Sequence, residues 1–549
     1  MDPVELIQRA DKMHANRGIF AQHWEEIRRV LAASAAPFIG SQPPGAKVHQ
    51  DVFDNTGEIA SEQLASALNG SMTSPSARWF AIEAEDPKIN ETDEAGRWLE
   101  HATDRMYGPF NSVAGNFASQ IHETYLDLVA FGTACLYVAD EPGRGILFSA
   151  RPLREIYLAE DAQGRIDTVF RRYKLTARQA AQRFKDGCPE EIREAAKKPD
   201  DAEKEFEFLH AVFPRADFDA TKRDRKNKPI ASFHISIECK CTVEESGYDE
   251  MPFMTPRWTK RAGEVYGRGP GMKALADVKM LQRMMRTTIR SAEKVVDPPL
   301  LVPDDGVMGP VRTAPSALNV VRADMLTGQE APIRPMLTGG RPDLGEEIMK
   351  STRERIEAAM YYNLLNAMMR NPEMTATQAN LLAIEVRRIL GPVLGRLESE
   401  LLGPLIQRVF QIMLRAGAFD PPPAALHGQK LKIVYVSPIA KAQRAEEALA
   451  IEQTFAAGAQ AQQLKPDVLD NIDVDASFRR LADLRGFPKD LLRDVDAIKV
   501  SRDQRQQQAA AQAQTDQIHQ GVATAATAAK ALPALRQALG PDTAVAGQA

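Results

Sequence analysis

The chain has 549 residues, with 69 basic and 74 acidic side chains, a formal charge of -5, 44% hydrophobic and 26% charged residues. That balance fits a globular chain of about three domains or one elaborated subunit. It excludes polyanion binding through overall charge alone, though not through a local basic face. Four cysteines exclude a disulfide framework, which points to a reducing compartment. The charged start MDPVELIQRADKM is not that of a signal peptide, and no run approaches 18 uninterrupted apolar residues. A soluble protein made inside the cell is therefore expected.

Helices open the chain. Phe20, Trp24, Ile27 and Leu31 recur at helical spacing. Asn55 with Glu58 three residues on predicts a capping box for a second helix, buried through Ala60, Leu64, Ala67, Leu68 and Met72. A third helix carries Phe117, Ile121, Tyr125 and Leu128. From Gly132 the period changes to two. CLYVA, GILFSA, EIYLA and RIDTVFRRY predict strands, and the alternation over 233–243 predicts one more, with Cys239 and Cys241 on its apolar face.

Gly267, Gly269 and Gly271 surround Pro270 and launch a helix to about Val296, stopped by Pro298-Pro299. Residues 297–342 hold eight prolines and predict an excursion of loops and strands. A second long helix is expected over 343–365, with Leu344, Ile348, Thr352, Ile356 and Ala359 as its apolar stripe. A third covers about 376–415, with kinks at Gly391-Pro392 and Gly403-Pro404. A strand at 431–436 precedes helices to about 500. The last 49 residues hold 25 Ala or Gln and no aromatic, so they form either an assembly-dependent helix or a disordered tail.

Catalytic patterns are missing: no GxxxxGK[ST] loop, no HExxH helix and no GxSxG elbow. The glycines at 267–271 lack GxGxxG spacing and a following βαβ unit, so a turn that starts a helix is expected there. Cys239 and Cys241 lack a second pair for a metal. The histidines are scattered and structural, and Asp304-Asp305-Gly306 makes a surface turn.

One feature stands apart. On the helix after Gly271, Lys279, Arg283, Arg286 and Arg290 fall on one arc, and Leu281, Met284, Met285, Thr288, Ala292 and Val295 on the opposite one. Residues 257–294 hold ten basic and three acidic side chains, or +7, leaving -12 elsewhere. Such a stripe is a solvated face, a polyanion-facing face or an intersubunit face. Neither long helix shows a matching core on one chain, and a ring of copies would supply partners.

Four segments, in order, make the sequence recognisable: DNTGEIASEQLASALNGSMTSPSARWF at 54–80, YGRGPGMKALADVKMLQRM at 266–284, VDPPLLVPDDG at 296–306, and MTATQANLLAIEVRRILGPVLGRLESELLGPLIQRVFQIMLRAG at 374–417. Across nearly its whole length the chain resembles the portal, or head-to-tail connector, proteins of short-tailed, podovirus-type bacteriophages. Gln378 stands where that pattern carries an acidic residue.

The resemblance implies a mostly helical α+β portal fold. Its parts would be an α/β wing (1–266), two stem helices (267–296 and 343–365) around a clip (297–342), a tunnel loop (366–377), a long kinked wing helix (378–415), a crown (416–500) and an Ala/Gln-rich tail (501–549), which either extends the channel as a helical barrel or is disordered. It implies a homododecamer at one capsid vertex of the virion, made in the host bacterial cytoplasm, for packaging and ejecting double-stranded DNA. Terminase, major capsid or scaffolding protein, and tail adaptor and nozzle proteins are the implied partners. No enzyme activity, cofactor, metal or membrane is implied.

Met368, Met369, Arg370, Asn371 and Glu373 would line the channel at the tunnel loop. Pro303, Asp304, Asp305 and Arg312 would meet terminase or adaptors at the clip. The stripe of Lys279, Arg283, Arg286 and Arg290 would either touch phosphates or pair with a neighbouring subunit's Glu346, Glu347, Glu354 or Glu357. Twelve helices at about 10 Å spacing put their axes on a circle roughly 39 Å across. Subtracting a helix diameter of about 10 Å leaves a bore near 29 Å, which admits a duplex. Two readings of other classes compete: an oligomeric scaffold without a DNA role, and a packaging nuclease or ATPase. The second needs a metal-binding carboxylate cluster or a Walker motif.

Overall fold

The computed structural model describes residues 2–43, 45–48, 52–75, 77–90, 92–141, 143–219, 221–222, 224–298, 300–301, 310–311, 334–335, 342–362, 388–435, 438–462, 472–485, 487, 491–493, 497–510 and 512. It divides into two units, Met1–Glu85 with Leu99–Gln443, and Asp86–Trp98 with Arg444–Ala549. The fold is mixed α+β.

Helix α1 (Pro3–Leu31) starts at Asp2, whose carboxylate accepts from the Val4 amide at 3.0 Å. It buries Leu6, Ala10, Trp24, Ile27 and Leu31. The indole of Trp24 donates to the Phe131 carbonyl at 2.9 Å, which ties α1 to the end of α5 (Phe117–Phe131). Helix α2 (Thr56–Met72) buries Ala60, Leu64 and Leu68 as expected, but the capping box does not form. Asn55 makes no side-chain cap bond, and Asp54 instead accepts from the Thr56 amide at 2.9 Å. Sequence reading also missed α3 (Pro87–Asn90), α4 (Asp93–Asn111) and β1 (Phe80–Ala84), the last of which pairs antiparallel with β12 (Leu431–Tyr435).

An antiparallel sheet runs in the order β4 (Ile156–Glu160), β5 (Ile166–Thr176), β6 (Glu205–Pro214), β7 (Ile230–Ser236) and β8 (Cys241–Tyr248). α1 covers one face, where Leu6 and Ala10 meet Tyr157, Phe170, Leu209 and Phe233. Helices α6 (Ala177–Phe184) and α7 (Glu190–Lys197) cover part of the other, where Phe184 and Ile192 meet Tyr173, Phe206, Phe208 and Val243. On that face the register aligns Arg171, His210 and His234 across three strands. The two imidazoles stack at 3.9 Å between centroids, and both are buried. His210 bonds Ser232 at 3.0 Å and His234 bonds Tyr173 at 3.0 Å. Burial pushes both rings well below the usual imidazole range; the neighbouring His234 and Arg183 add to the effect on His210, and Arg183 and Arg171 to that on His234. A smaller antiparallel sheet runs in the order β3 (Gly145–Ala150), β2 (Leu136–Glu141) and β9 (Phe253–Met254).

The single strand expected over 233–243 is two strands. The chain turns over 237–240, with Lys240 at φ 49°, and Cys241 opens β8. Cys239 and Cys241 are half-buried, in the turn and at the strand start, not on an apolar strand face. The alternation misled because apolar and polar residues go on alternating through the turn.

Helix α8 (Pro270–Val296) follows the glycine turn, and α9 (Pro342–Ala359) returns beside it. Between them β10 (Leu300–Leu301) pairs with β11 (Arg334–Pro335). α9 ends six residues before the expected 365: the Met360 and Tyr361 amides bond Ile356 and Ala358, and Tyr361 adopts φ 56°. Its buried stripe is Met349, Thr352, Ile356 and Met360, and Ile348 is 54% exposed. Residues 388–397 are helical, Gly391-Pro392 included. The break falls at Glu398–Leu402, a π turn leading into α10 (Gly403–Arg415).

α11 (Pro438–Ala461) enters the second unit at Arg444, and there it is joined to α12 (Val474–Leu484) by Arg480–Glu447 at 2.9 Å and Arg485–Glu452 at 2.7 Å. Residues 497–510 are helical.

Candidate functional site: a charged helix pair on a buried anchor

The start of α8 is set by glycines that have no room for a side chain. A Cβ on Gly267 would sit 2.3 Å from the Gly132 carbonyl oxygen, and one on Gly271 would sit 2.3 Å from that of Ala130. The end of α5 and the start of α8 therefore cross backbone on backbone. Gly132 itself sits at φ 77°, and the Trp258 amide donates to its carbonyl at 2.9 Å. This is the helix-starting turn expected from the sequence.

Beside this crossing lies Arg257, only 2% exposed. Its guanidinium donates to Glu400 at 3.1 and 2.7 Å, to Glu160, and to the carbonyls of Val265 (3.1 Å) and Gly164 (3.2 Å). Its amide donates to Glu400 at 3.0 Å. Lys260 also pairs with Glu160 at 2.5 Å, and Arg396 with Glu400 at 3.0 Å. Burial works against the charge on Arg257, but the hydrogen bonds and charge of Glu400, then of Glu160, outweigh it and raise its pKa.

Glu400 sits in the π turn. In an α register the Pro404 ring would collide with the carbonyl of residue 400, and proline has no N–H to donate. The turn widens instead, so the Gly403 amide bonds the Glu398 carbonyl five residues back. The Tyr435 hydroxyl donates to that same carbonyl at 3.1 Å. Sequence reasoning flagged Gly403-Pro404 as a break but had no signal for Glu400, whose partner lies 143 residues away.

α8 and α9 are antiparallel: Thr288 lies against Gly345, and Asp277 pairs with Arg355 at 3.1 Å. The N-terminal half of α8 buries Ala274, Leu275, Val278, Leu281 and Gln282 within its own chain. The pair thus has a partial core, contrary to the sequence expectation. Gln282 grips the strand of chain before α2, accepting from the amides of Phe53 (2.7 Å) and Asp54 (3.0 Å) and donating to the Asp54 carbonyl (2.6 Å). Arg353 of α9 pairs with Asp54 at 2.9 Å. Burial raises the Asp54 pKa, but the Thr56 and Arg353 hydrogen bonds prevail and lower it. The C-terminal half of α8 has no fully buried side chain, with Ile289 41% and Val296 84% exposed.

The four stripe cations share one face. Lys279 reaches Glu26 of α1 at 2.8 Å, and Arg286 lies over the Phe53 ring at 5.9 Å. Arg283, Arg286 and Arg290 are exposed, as are Glu346, Glu347 and Glu354 of α9, and Glu357 is half-buried. The tunnel-loop residues Met368, Met369, Arg370, Asn371 and Glu373, and the clip residues Pro303, Asp304, Asp305 and Arg312, lie outside the described residues. Among the described residues no three His, Cys, Asp or Glu side chains are placed to hold a metal ion, and no helix is long and apolar enough to cross a membrane.

The family model described as "Bacteriophage head to tail connecting protein" matches residues 4–492. The probable portal protein of Bordetella phage BPP-1 is 31% identical over 531 residues, covering 95% of this chain and 94% of that one. The portal protein of Salmonella phage epsilon15 is 30% identical over 522 residues, covering 92% and 91%. That of Enterobacteria phage T3 is 23% identical over 320 residues, covering 56% and 55%. Among solved structures, a chain from the virion of a native gene transfer agent particle overlaps 80% of this chain and 98% of its own, at 12% identity and a TM-score of 0.32.

Proposed function

The chain belongs to the bacteriophage head-to-tail connecting protein family, and from that premise we propose that twelve copies close into a ring at one capsid vertex and that double-stranded DNA is packaged and ejected through its channel. The protein is a portal, a ring-forming structural component at the junction of capsid and tail. The observation that carries the reading is identity of 31% sustained over 95% of this chain and 94% of a portal relative.

In this reading residues 1–266 are the wing, and α8 and α9 the stem, with its second helix ending at Ala359. Residues 297–342 are the clip that docks terminase, tail adaptor and nozzle proteins. Residues 366–377 form the tunnel loop, 378–415 the long wing helix, 416–500 the crown that faces capsid or scaffolding protein, and 501–549 an extension of the channel. The protein performs no chemistry of its own, and nucleotide hydrolysis belongs to the terminase. A particle mass near 730 kDa, twelve times 60.6 kDa, is expected. Negative-stain electron microscopy of the purified protein tests this, with twelvefold rings around a central hole as the expected image. A monomer that cleaves DNA or hydrolyses ATP would sink it.

A further inference from the structure

We infer that the α8–α9 pair is electrically two-edged, and that the ring closes by seating the cationic α8 edge of one copy against the anionic α9 edge of the next, with Arg286 facing the next copy's Glu347. This rests on the ring reading above and names the contact that builds the ring.

The first observation is angular. Successive helical residues turn by about 100°. On α8, Asp277 and Thr288 mark the direction of α9. Lys279, Arg283, Arg286 and Arg290 then point roughly 170–230° away from it. On α9, Gly345 and the buried Met349, Thr352 and Ile356 mark the inward side. Glu346, Glu347, Glu354 and Glu357 point roughly 90–190° away from that side. Each helix thus turns charge outward, positive on the α8 edge and, with four glutamates against the single exposed Lys350, net negative on the α9 edge. Identical two-edged units associate head to tail, and a head-to-tail contact related by rotation closes a ring.

The second observation is register. Rotation about a ring axis leaves every residue at its own height, so with the helix pair set along that axis, residues that pair between copies must already lie level within one copy. The contacts Thr288–Gly345 and Asp277–Arg355 fix that level, since each step along α8 is matched by one step back along α9. Arg286 is then level with Glu347. Arg290 lies within about 4.5 Å of axial rise of Glu346, and Arg283 within about 6 Å of both Glu346 and Glu354. Arginine side chains span such offsets. Within one copy these groups stand on opposite edges of the pair and cannot meet. Lys279 is already held by Glu26 of its own chain and is not needed for the contact. A stripe matched in this way faces protein, and the channel DNA meets other residues.

The test is charge reversal with rescue in the full chain, read by negative-stain electron microscopy and light scattering. R286E and E347R should each lower the fraction in rings about tenfold, because like charges then face each other. R286E/E347R should restore the rings. A second measurement uses R286C/E347C under mild oxidation with copper phenanthroline, which should give a ladder of crosslinked multimers. R286C/E357C, displaced by about 15 Å along the helix, should not. Wild-type protein that forms no ring overturns the ring reading and this contact together. Wild-type rings with R286E rings equally abundant, or with no rescue and no ladder, overturn the contact alone. Intact R286E rings with altered DNA retention would assign the stripe to DNA.

Discussion

Replacing Arg257 by Met keeps a long unbranched side chain and removes the charge. Truncating one partner of a buried ion pair typically costs about 3–5 kcal/mol, because the remaining charge is left unpaired. Here neither carboxylate is left bare. Lys260 stays on Glu160, Arg396 stays on Glu400, and the residue 257 amide still reaches Glu400. The cost therefore falls at the low end, about 3 kcal/mol, or roughly 150-fold in the folding equilibrium. Urea unfolding at fixed protomer concentration measures it, and a cycle with Glu400→Gln isolates the pair. The double variant should be less destabilised than the sum of the singles by at least about 1 kcal/mol. Arg257 is 2% exposed, so that coupling should survive 0.5 M salt. Additive singles, or a coupling that salt abolishes, would refute the claim that this node is a buried, mutually dependent network.

Three further outcomes are expected. His210 and His234 are held neutral, so the unfolded chain takes up protons near pH 6.5 that the fold refuses. Stability is complete above that pH and falls as the pH drops below it; H210Q/H234Q should flatten the curve of unfolding midpoint against pH, and an unchanged curve would contradict the assignment. Gly271→Ala puts a methyl against the Ala130 carbonyl and should cost about 1–3 kcal/mol or more, lowering the melting temperature; a change within a few tenths would show that the crossing can open. Lys279→Gln removes an exposed pair and should cost at most about 1 kcal/mol in thermal unfolding, an effect that fades with added salt.

What the sequence disclosed depended on the range of the cause. Gly267, Gly269 and Gly271 were legible because they cluster around Pro270 at a helix start, a local pattern. The hairpin at 237–240 was not, because its alternation conceals the turn. In the α9 stripe Thr352 and Ile356 were placed correctly, but Ile348 was named for the buried Met349, since both are apolar and only packing chooses between them. Asp54 displaced Asn55 as the cap because it also serves Arg353 of a helix 299 residues later. Glu400 left no trace at all, its meaning lying in Arg257.

The backbone crossing at Gly132 and Gly267–Gly271 has a mechanical consequence. α8 is 27 residues, held at its start by this crossing and buried in its own chain as far as Gln282, so its last 14 residues, about 21 Å, project. A lever of that length magnifies error: one degree at its base moves the tip by about 0.4 Å, and five degrees by about 1.8 Å, enough to part an ion pair. Main chain pressed against main chain has no rotamers to relax into, so the root is stiff. Each copy can then deliver the far end of its lever to its neighbour with a tolerance that side-chain packing alone would not hold.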